Sequence, residues 1–288
     1  MPPYRAGQRV LVVAPHPDDE SLSCAGSVLR ALQVGAEVFV VWMTCGDGFE
    51  FDAILEERTL HPDRRAFEAL GRCRMEEARE AAGLLGVAPS HQIFLGYPDG
   101  GLQHLWLEHY SVPFESRYTC NQSVPYPQVL SPGALYTGRD LDRDLERLLD
   151  TVMPDLVLVP SPLDLHPDHR ATARFFIRAM SRRNQKDRLR FWIVHGGLEY
   201  PLPKGLRIGM PLLTAPTGRG LAWERLELSG TEIEQKARAV RAHRSQMEVL
   251  GHFMLAFVRQ NELLTREDGT PASPNPAPFT DSSPSPPA

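Results

Sequence analysis

The chain has 288 residues, a length typical of one large domain, and 42% of them are hydrophobic, which is enough for a sizeable core. The formal net charge is −5 and the chain lacks a dense run of lysine and arginine, so we expect no nucleic-acid partner. No apolar run is long enough to span a membrane, and the first predicted strand starts too early to leave room for a signal peptide. The four cysteines form no CxxC pair, which is typical of a reducing compartment, so we expect a cytoplasmic protein.

Predicted strands and helices alternate from residue 10 onward. Short apolar runs predict strands at residues 10–14, 38–43, 92–95, 156–159 and 191–194. Helical spacing predicts helices at residues 22–34, 65–85, 141–152 and 171–180. Strands without polar alternation, separated by helices, are typical of a parallel sheet that is covered on both faces. We therefore expect an α/β fold with a doubly wound, mainly parallel, Rossmann-like sheet of strand order 3-2-1-4-5.

Two segments depart from this alternation. Residues 100–139 show no clear period and hold four of the seven tyrosines, which favours a lid or a substrate wall over plain packing. Residues 267–288 are rich in proline and serine, which predicts a disordered tail. The expected organisation is a single domain over residues 1–266, with an insertion at about residues 100–139, followed by this tail.

Histidines and carboxylates are crowded directly after two of the predicted strands. The first strand is followed by PHPDDE at residues 15–20, and the fourth by HPDH at residues 166–169. Strands one and four are neighbours at the switch point of a doubly wound sheet, so both groups are expected at one crevice. Two histidines and several carboxylates suit zinc, or else iron or manganese, and the cation would offset the carboxylate repulsion. The alternative is that these residues only cap helices, since proline and acidic residues are favoured in a first helical turn.

The same two motifs carry a family resemblance. PHPDDE and HPDH resemble the paired motifs of the LmbE-like, or PIG-L, family of zinc-dependent N-acetylglucosamine deacetylases. The segments TCGDG, RMEEAREAAGLLGV, LGYPDGG and KARAVRAHRSQ are also similar, so the resemblance covers about residues 8–258. One departure is His243, where many relatives carry an aromatic residue, and we expect it to affect packing more than chemistry.

The resemblance implies a role for each matching residue. The implied zinc ligands are His16, Asp19 and His169, with Fe²⁺ or Mn²⁺ as alternative metals. The implied catalytic residues are Asp18 as general base, His166 as an acid or oxyanion donor with a raised pKa, and Asp168, which orients a histidine. Arg74 and Asp99 match sugar-binding positions, although Arg74 could instead form a surface i,i+3 pair with Glu77. His195 follows the fifth predicted strand, where a substrate contact and a histidine bonded to backbone are equally plausible.

The implied activity is removal of the acetyl group from an N-acetylglucosamine-type substrate, a small amino sugar, by a water that the metal activates and Asp18 deprotonates. Two alternatives are a metal amidase acting on another amide and a non-catalytic sugar- or metal-binding protein. The intact Asp18 favours catalysis, because a binding protein needs no spare carboxylate beside its metal ligands. No motif specifies the aglycone. The oligomeric state is also open, and a homo-oligomer is one of the alternatives.

Overall fold

A computed structural model describes residues 4–48, 63–197 and 199–269 of the chain. Within these ranges, seven strands form one mixed sheet of order β3-β2-β1-β4-β5-β7-β6. The strands are β1 (Arg9–Ala14), β2 (Glu37–Thr44), β3 (Gln92–Tyr97), β4 (Leu156–Pro160), β5 (Leu189–Trp192), β6 (Trp223–Glu227) and β7 (Asn261–Thr265). The helices are α1 (Asp19–Gln33), α2 (Arg64–Leu84), α3 (Leu102–Leu107), α4 (Gly138–Val152), α5 (Pro167–Arg182), α6 (Gly230–Ala242) and α7 (Arg244–Leu255).

The first five strands form the parallel part of the sheet. They are neighbours in the predicted order 3-2-1-4-5, and every pair among them is parallel. The side chains of β1 from Val10 to Ala14 are fully buried, as expected for a strand with helices over both of its faces. Helices α1, α2 and α6 pack together as one group, and α3, α4 and α5 pack together as a second group. The predicted α/β fold is therefore confirmed.

Two further strands extend the sheet beyond β5, and the sequence did not predict them. Strand β7 pairs with β5 and with β6, and both pairings are antiparallel, so the sheet is mixed. Strand β7 carries the buried Glu262, whose carboxylate accepts hydrogen bonds from the backbone of Gly26 and Ser27 and from Lys236 Nζ at 2.8 Å. This one carboxylate therefore joins α1, α6 and β7.

The insertion and the start of the predicted tail are both packed against the domain. The insertion contains α3, and its Tyr126 and Tyr136 are buried. In the predicted tail, Asp268 Oδ2 lies 2.7 Å from Lys186 Nζ, so the packed chain continues to residue 269. Residues 270–288 of that prediction lie outside the described residues. Among the helices described, none has the length and apolar character needed to cross a bilayer.

Candidate active site

The two predicted motifs meet at the carboxyl edge of the sheet. Strands β1 and β4 are hydrogen-bonded neighbours, so the turns that follow them adjoin. A cleft of about 320 Å³ opens at this edge. Seven of the nine predicted site residues line it, namely His16, Asp18, Asp19, Arg74, Asp99, His166 and His195. The other two, Asp168 and His169, are fully buried next to them.

His16, Asp19 and His169 form the centre of the cluster. One oxygen, Asp19 Oδ2, lies 3.3 Å from His16 Nδ1 and 3.2 Å from His169 Nε2. Ligand atoms placed tetrahedrally around Zn²⁺ are about 3.3 Å apart, given metal–ligand distances of about 2.0 Å. Both ring nitrogens of the buried His169 lack a properly directed hydrogen bond among the described residues. These three side chains therefore fit a divalent cation.

Other combinations of side chains at this edge also bring potential ligand atoms together. One nitrogen from each of His16, His166 and His169 lies within 4.8 Å of the other two, and His16, Asp99 and Asp168 form a second such group. The carboxylate of Asp168, however, already accepts hydrogen bonds from the backbone N–H groups of Gly100 and Leu102. We prefer the set that contains Asp19, because its Oδ2 contacts both imidazoles directly.

Buried carboxylates orient the two imidazoles. His16 Nε2 lies 3.3 Å from Asp168 Oδ2 and 3.2 Å from Asp99 Oδ1, and His169 Nδ1 lies 3.3 Å from Asp164 Oδ2. Carboxylates at these nitrogens favour N–H there, which leaves His16 Nδ1 and His169 Nε2 as free ligand atoms. Sequence reasoning missed Asp164, although it lies two residues before His166 in the same conspicuous stretch.

The electrostatic balance of the cluster favours a positive charge. Burial lowers the pKa of His169, but the carboxylates of Asp19 and Asp164 outweigh it and raise the pKa to about 9. In His16, too, neighbouring carboxylates overcome the effect of burial, so its pKa is raised. The carboxylates thus stabilise a cation at the place where the imidazole nitrogens converge.

Asp18 lies beside this cluster in a strained backbone conformation. Its φ is 127°, a region that residues with a Cβ rarely adopt, and its side chain makes no capping hydrogen bond to α1. The interpretation of Asp18 as a simple helix cap is therefore wrong. Burial, and then the adjacent Asp19 carboxylate, raise the pKa of Asp18 to about 7. A carboxylate with this pKa at the wall of a cleft has the properties of a general base.

Glu20 stabilises the turn that holds Asp18 through hydrogen bonds. The buried carboxylate of Glu20 accepts hydrogen bonds from the Asp18 backbone N–H at 3.1 Å, from Trp42 Nε1 at 2.9 Å and from Ser21 Oγ at 2.8 Å. His243 Nε2 lies 3.0 Å from the same carboxylate. His243 thus contacts the support of this turn through a polar atom, and the expectation that it affects packing more than chemistry stays a prediction.

His166 caps the N-terminus of α5. Its Nδ1 accepts a hydrogen bond from the Asp168 backbone N–H at 3.2 Å, so in the neutral ring the proton is on Nε2. Burial, and then the imidazoles of His16, His169 and His195, lower the pKa of His166 to about 2. The expected raised pKa is therefore wrong, because the Asp168 carboxylate points to His16 and to the backbone of α3 instead. His166 offers a neutral N–H donor.

Arg74 lies in the cleft, but most of its donors are already used. Its guanidinium donates to the carbonyls of Gly46 and Pro17, both at 2.8 Å, and to Asp18 Oδ2 at 3.4 Å. The alternative pairing with Glu77 is wrong, since Glu77 instead accepts hydrogen bonds from Ser245. Arg74 thus orients Asp18 and the turn at Gly46, and its contact with a sugar stays a prediction.

Asp99 and His195, the other two predicted substrate contacts, both line the cleft. Asp99 accepts a hydrogen bond from the Gly48 backbone at 3.0 Å, and its contact with His16 overcomes burial, so its pKa is lowered. The His195 ring lines the cleft and stacks on Phe253 at 5.8 Å, while its backbone N–H donates to Asp164. From the insertion, Tyr118 lines the cleft.

Comparisons with known proteins agree with this fold. The family model described as GlcNAc-PI de-N-acetylase (PIG-L) matches residues 11–180, more than half of the chain. The chain belongs to the PIG-L family.

Two curated relatives and one solved structure illustrate the similarity. The chain is 26% identical over 188 residues to a probable N-acetyl-alpha-D-glucosaminyl L-malate deacetylase 2 of Bacillus anthracis, covering 65% of this chain and 66% of that protein. It is 27% identical over 193 residues to a 1D-myo-inositol 2-acetamido-2-deoxy-alpha-D-glucopyranoside deacetylase of Corynebacterium jeikeium, covering 62% of this chain and 52% of that protein. The matches thus span between half and two thirds of these relatives. A deacetylase from the teicoplanin biosynthesis pathway has the same fold, with a TM-score of 0.54, 23% identity and coverage of 84% and 86% of the two chains.

Proposed function

We propose that the protein is a zinc-dependent hydrolase that removes the acetyl group from an N-acetylglucosamine-type substrate. The observation that carries this proposal is the contact of one oxygen, Asp19 Oδ2, with both His16 and His169, next to the carboxylate of Asp18 with its raised pKa of about 7. A site with only a binding role has no need for a further carboxylate beside the ligands on a strained backbone. Family membership and the amino-sugar deacetylases among the relatives support the choice of substrate class.

His16 Nδ1, Asp19 Oδ2 and His169 Nε2 would hold the cation, because Asp19 Oδ2 already lies at the spacing of zinc ligands from each of the two nitrogens. Imidazole and carboxylate suit Zn²⁺, with Fe²⁺ or Mn²⁺ as alternatives. When bound, such an ion lowers the pKa of a water molecule and polarises a carbonyl group.

The protein side chains divide the remaining work between them. Asp18 accepts the proton of the water that attacks the acetyl carbonyl, and its pKa of about 7 suits this task near neutral pH. His166 donates its Nε2–H to the oxygen that becomes negatively charged, as its Nδ1 is occupied by the Asp168 backbone. Asp168 holds His16 through its Nε2. Asp99, His195 and Arg74 bound the part of the cleft that receives the sugar.

Release of acetate from a panel of N-acetylated glucosamine conjugates tests the proposal. The purified protein is assayed after treatment with a chelator and again after Zn²⁺, Fe²⁺ or Mn²⁺ is restored. We expect acetate release that the chelator abolishes and a metal restores. Sugar binding without acetate release under every metal condition would instead show a binding protein.

A further inference from the structure

One wall of the cleft is apolar, and the proposed deacetylation does not explain it. Helix α7 contributes Gln246, Leu250, Phe253 and Met254, whose spacing places them on one face of the helix. Leu22 of α1 and Val194, which follows β5, complete this apolar wall. Of the lining side chains that α7 provides, none carries a charge.

The apolar wall adjoins the metal-binding cluster. The Phe253 ring stacks on His195 at 5.8 Å, and the His195 ring lies 4.9 Å from His169 and 5.1 Å from His166. The His195 ring thus contacts both Phe253 and His169, a predicted metal ligand. A substituent on a substrate whose amide reaches the cluster can therefore lie against this wall.

The accessible apolar surface of this wall belongs mainly to Leu250 and Phe253, which are only partly buried. Leu22, Val194 and Met254 also line this side but are at most 2% exposed. An acetyl group brings one methyl, which cannot cover both Leu250 and Phe253. A polyol or a carboxylate placed there would lose hydrogen bonds to water without gaining partners from the apolar side chains, which is costly. An alkyl or aromatic group would gain from burial instead.

We propose that the substrate of this enzyme carries an apolar substituent of several carbons, and that this substituent lies on the wall formed by Leu22, Val194, Leu250, Phe253 and Met254. The inference rests on the proposed function and specifies its substrate class. The substituent is attached either at the anomeric oxygen, as an aglycone, or at the amide, as an acyl chain. At either attachment point, the substituent presents the same kind of apolar surface to the wall.

Two series of synthetic glucosaminides separate these sources. The first series keeps the N-acetyl group and varies the glycosidic group from methyl through butyl to octyl, with a myo-inositol glycoside as the polar comparison. The second keeps the methyl glycoside and varies the N-acyl group from acetyl through butanoyl to octanoyl. The rate of free amine formation yields kcat and KM for each compound.

We expect kcat/KM to rise at least tenfold along one of the two series, mainly through a lower KM, because each fully buried methylene contributes a factor of about three to four. The series that rises identifies the attachment point. Two flat series, or a flat N-acyl series together with an inositol glycoside that exceeds the octyl glycoside, would overturn the inference while leaving the deacetylase activity intact. Failure of every compound to release amine would remove the proposed function and, with it, the inference.

Variants of the wall provide a second measurement. In the series that rises, Leu250→Gln and Phe253→Ser should reduce the ratio of kcat/KM between the longest and the shortest compound by about fivefold or more, since each removes apolar contact area. The matched control is Leu107→Gln, a helical leucine that is 56% exposed and does not line the cleft. Circular dichroism checks that each variant folds. If Phe253→Ser does not fold, the result for Leu250→Gln alone decides. An unchanged ratio in the folded variant would contradict the assignment.

Discussion

Glu20 and His243 form a buried ionic contact, 3.0 Å long, directly beneath the turn that holds Asp18. The two residues lie 223 positions apart in the sequence, and both side chains are at most 1% exposed. Burial opposes charge on each of them, but their mutual attraction prevails, so the pKa of His243 is raised and that of Glu20 is lowered. Helix α7 is thereby anchored to the start of α1, the two elements that frame the apolar wall and the general base.

Replacement of His243 should destabilise the fold in a pH-dependent way. We expect His243→Phe to lower the free energy of unfolding by about 1–3 kcal/mol, because Glu20 loses its charged partner in a buried site. Because the pKa of His243 is raised in the folded state, its contribution to stability is full below about pH 6.5 and is lost as the pH rises through the folded-state pKa. Glu20, whose pKa is lowered, contributes to stability above about pH 4.3. Urea unfolding of both proteins should thus differ most at about pH 5–6.5 and converge at higher pH. A difference independent of pH, or equal to that of the exposed control His104→Gln, would contradict this account.

Loss of His169 should remove the metal together with the activity. His169→Ala deletes a proposed ligand whose ring nitrogens have no properly directed hydrogen bond among the described residues, so we expect the metal content measured by elemental analysis to fall close to zero. His104→Ala, which alters a half-exposed histidine on α3, should keep the metal. Full metal content in the His169 variant would refute the ligand assignment.

Asp164 should control how tightly the metal is held. Its Oδ2 lies 3.3 Å from His169 Nδ1, and replacement of such an orienting carboxylate typically weakens metal binding about 10–100-fold. We expect this loss for Asp164→Asn in competition with a chelator of known affinity. Asp150→Asn, at a side chain that is 71% exposed, is the control and should bind as the parent does. Equal affinities in both variants would show that Asp164 serves only the backbone of the neighbouring turn.

Substitution of Asp18 separates catalysis from binding. Asp18→Asn is nearly isosteric and leaves His16, Asp19 and His169 in place, but it cannot accept a proton. Turnover should fall by about 10²–10⁴-fold, with metal content retained. If turnover stays close to that of the parent while the metal is present, the proton is taken by another group, and His166 is the first to test.

The central sheet and the approximate position of the cleft could be predicted because both depend on local patterns. Apolar runs such as residues 10–14 are buried on both faces, and their order follows from the rules for parallel sheets. Strands β6 and β7 were missed because they are short and rich in polar residues. Glu262, for example, is a poor strand former, and only its pairing with Lys236 and the backbone of α1 makes it tolerable in the interior.

Within the site, the residues named by the motifs do gather at one cleft, while the residues that orient them were only partly predicted. Glu20 lies inside the first motif and Asp164 lies two residues before the second, so their proximity to the site was visible in the sequence. Their partners, His243 and the backbone N–H groups of Val194 and His195, come from distant segments. The direction in which the Asp168 carboxylate points, and hence the pKa of His166, depends on such tertiary contacts and cannot be derived from spacing.

The positive φ of Asp18 sets stability and catalysis in opposition at a single residue. A strained non-glycine residue typically costs about 1–3 kcal/mol, and glycine reaches positive φ without the clash of a Cβ. Asp18→Gly should therefore yield an inactive protein that unfolds at the parent's temperature or above it, despite the loss of a buried side chain. Selection for thermal stability alone would favour that change, so the aspartate at this position persists only as long as its carboxylate is useful.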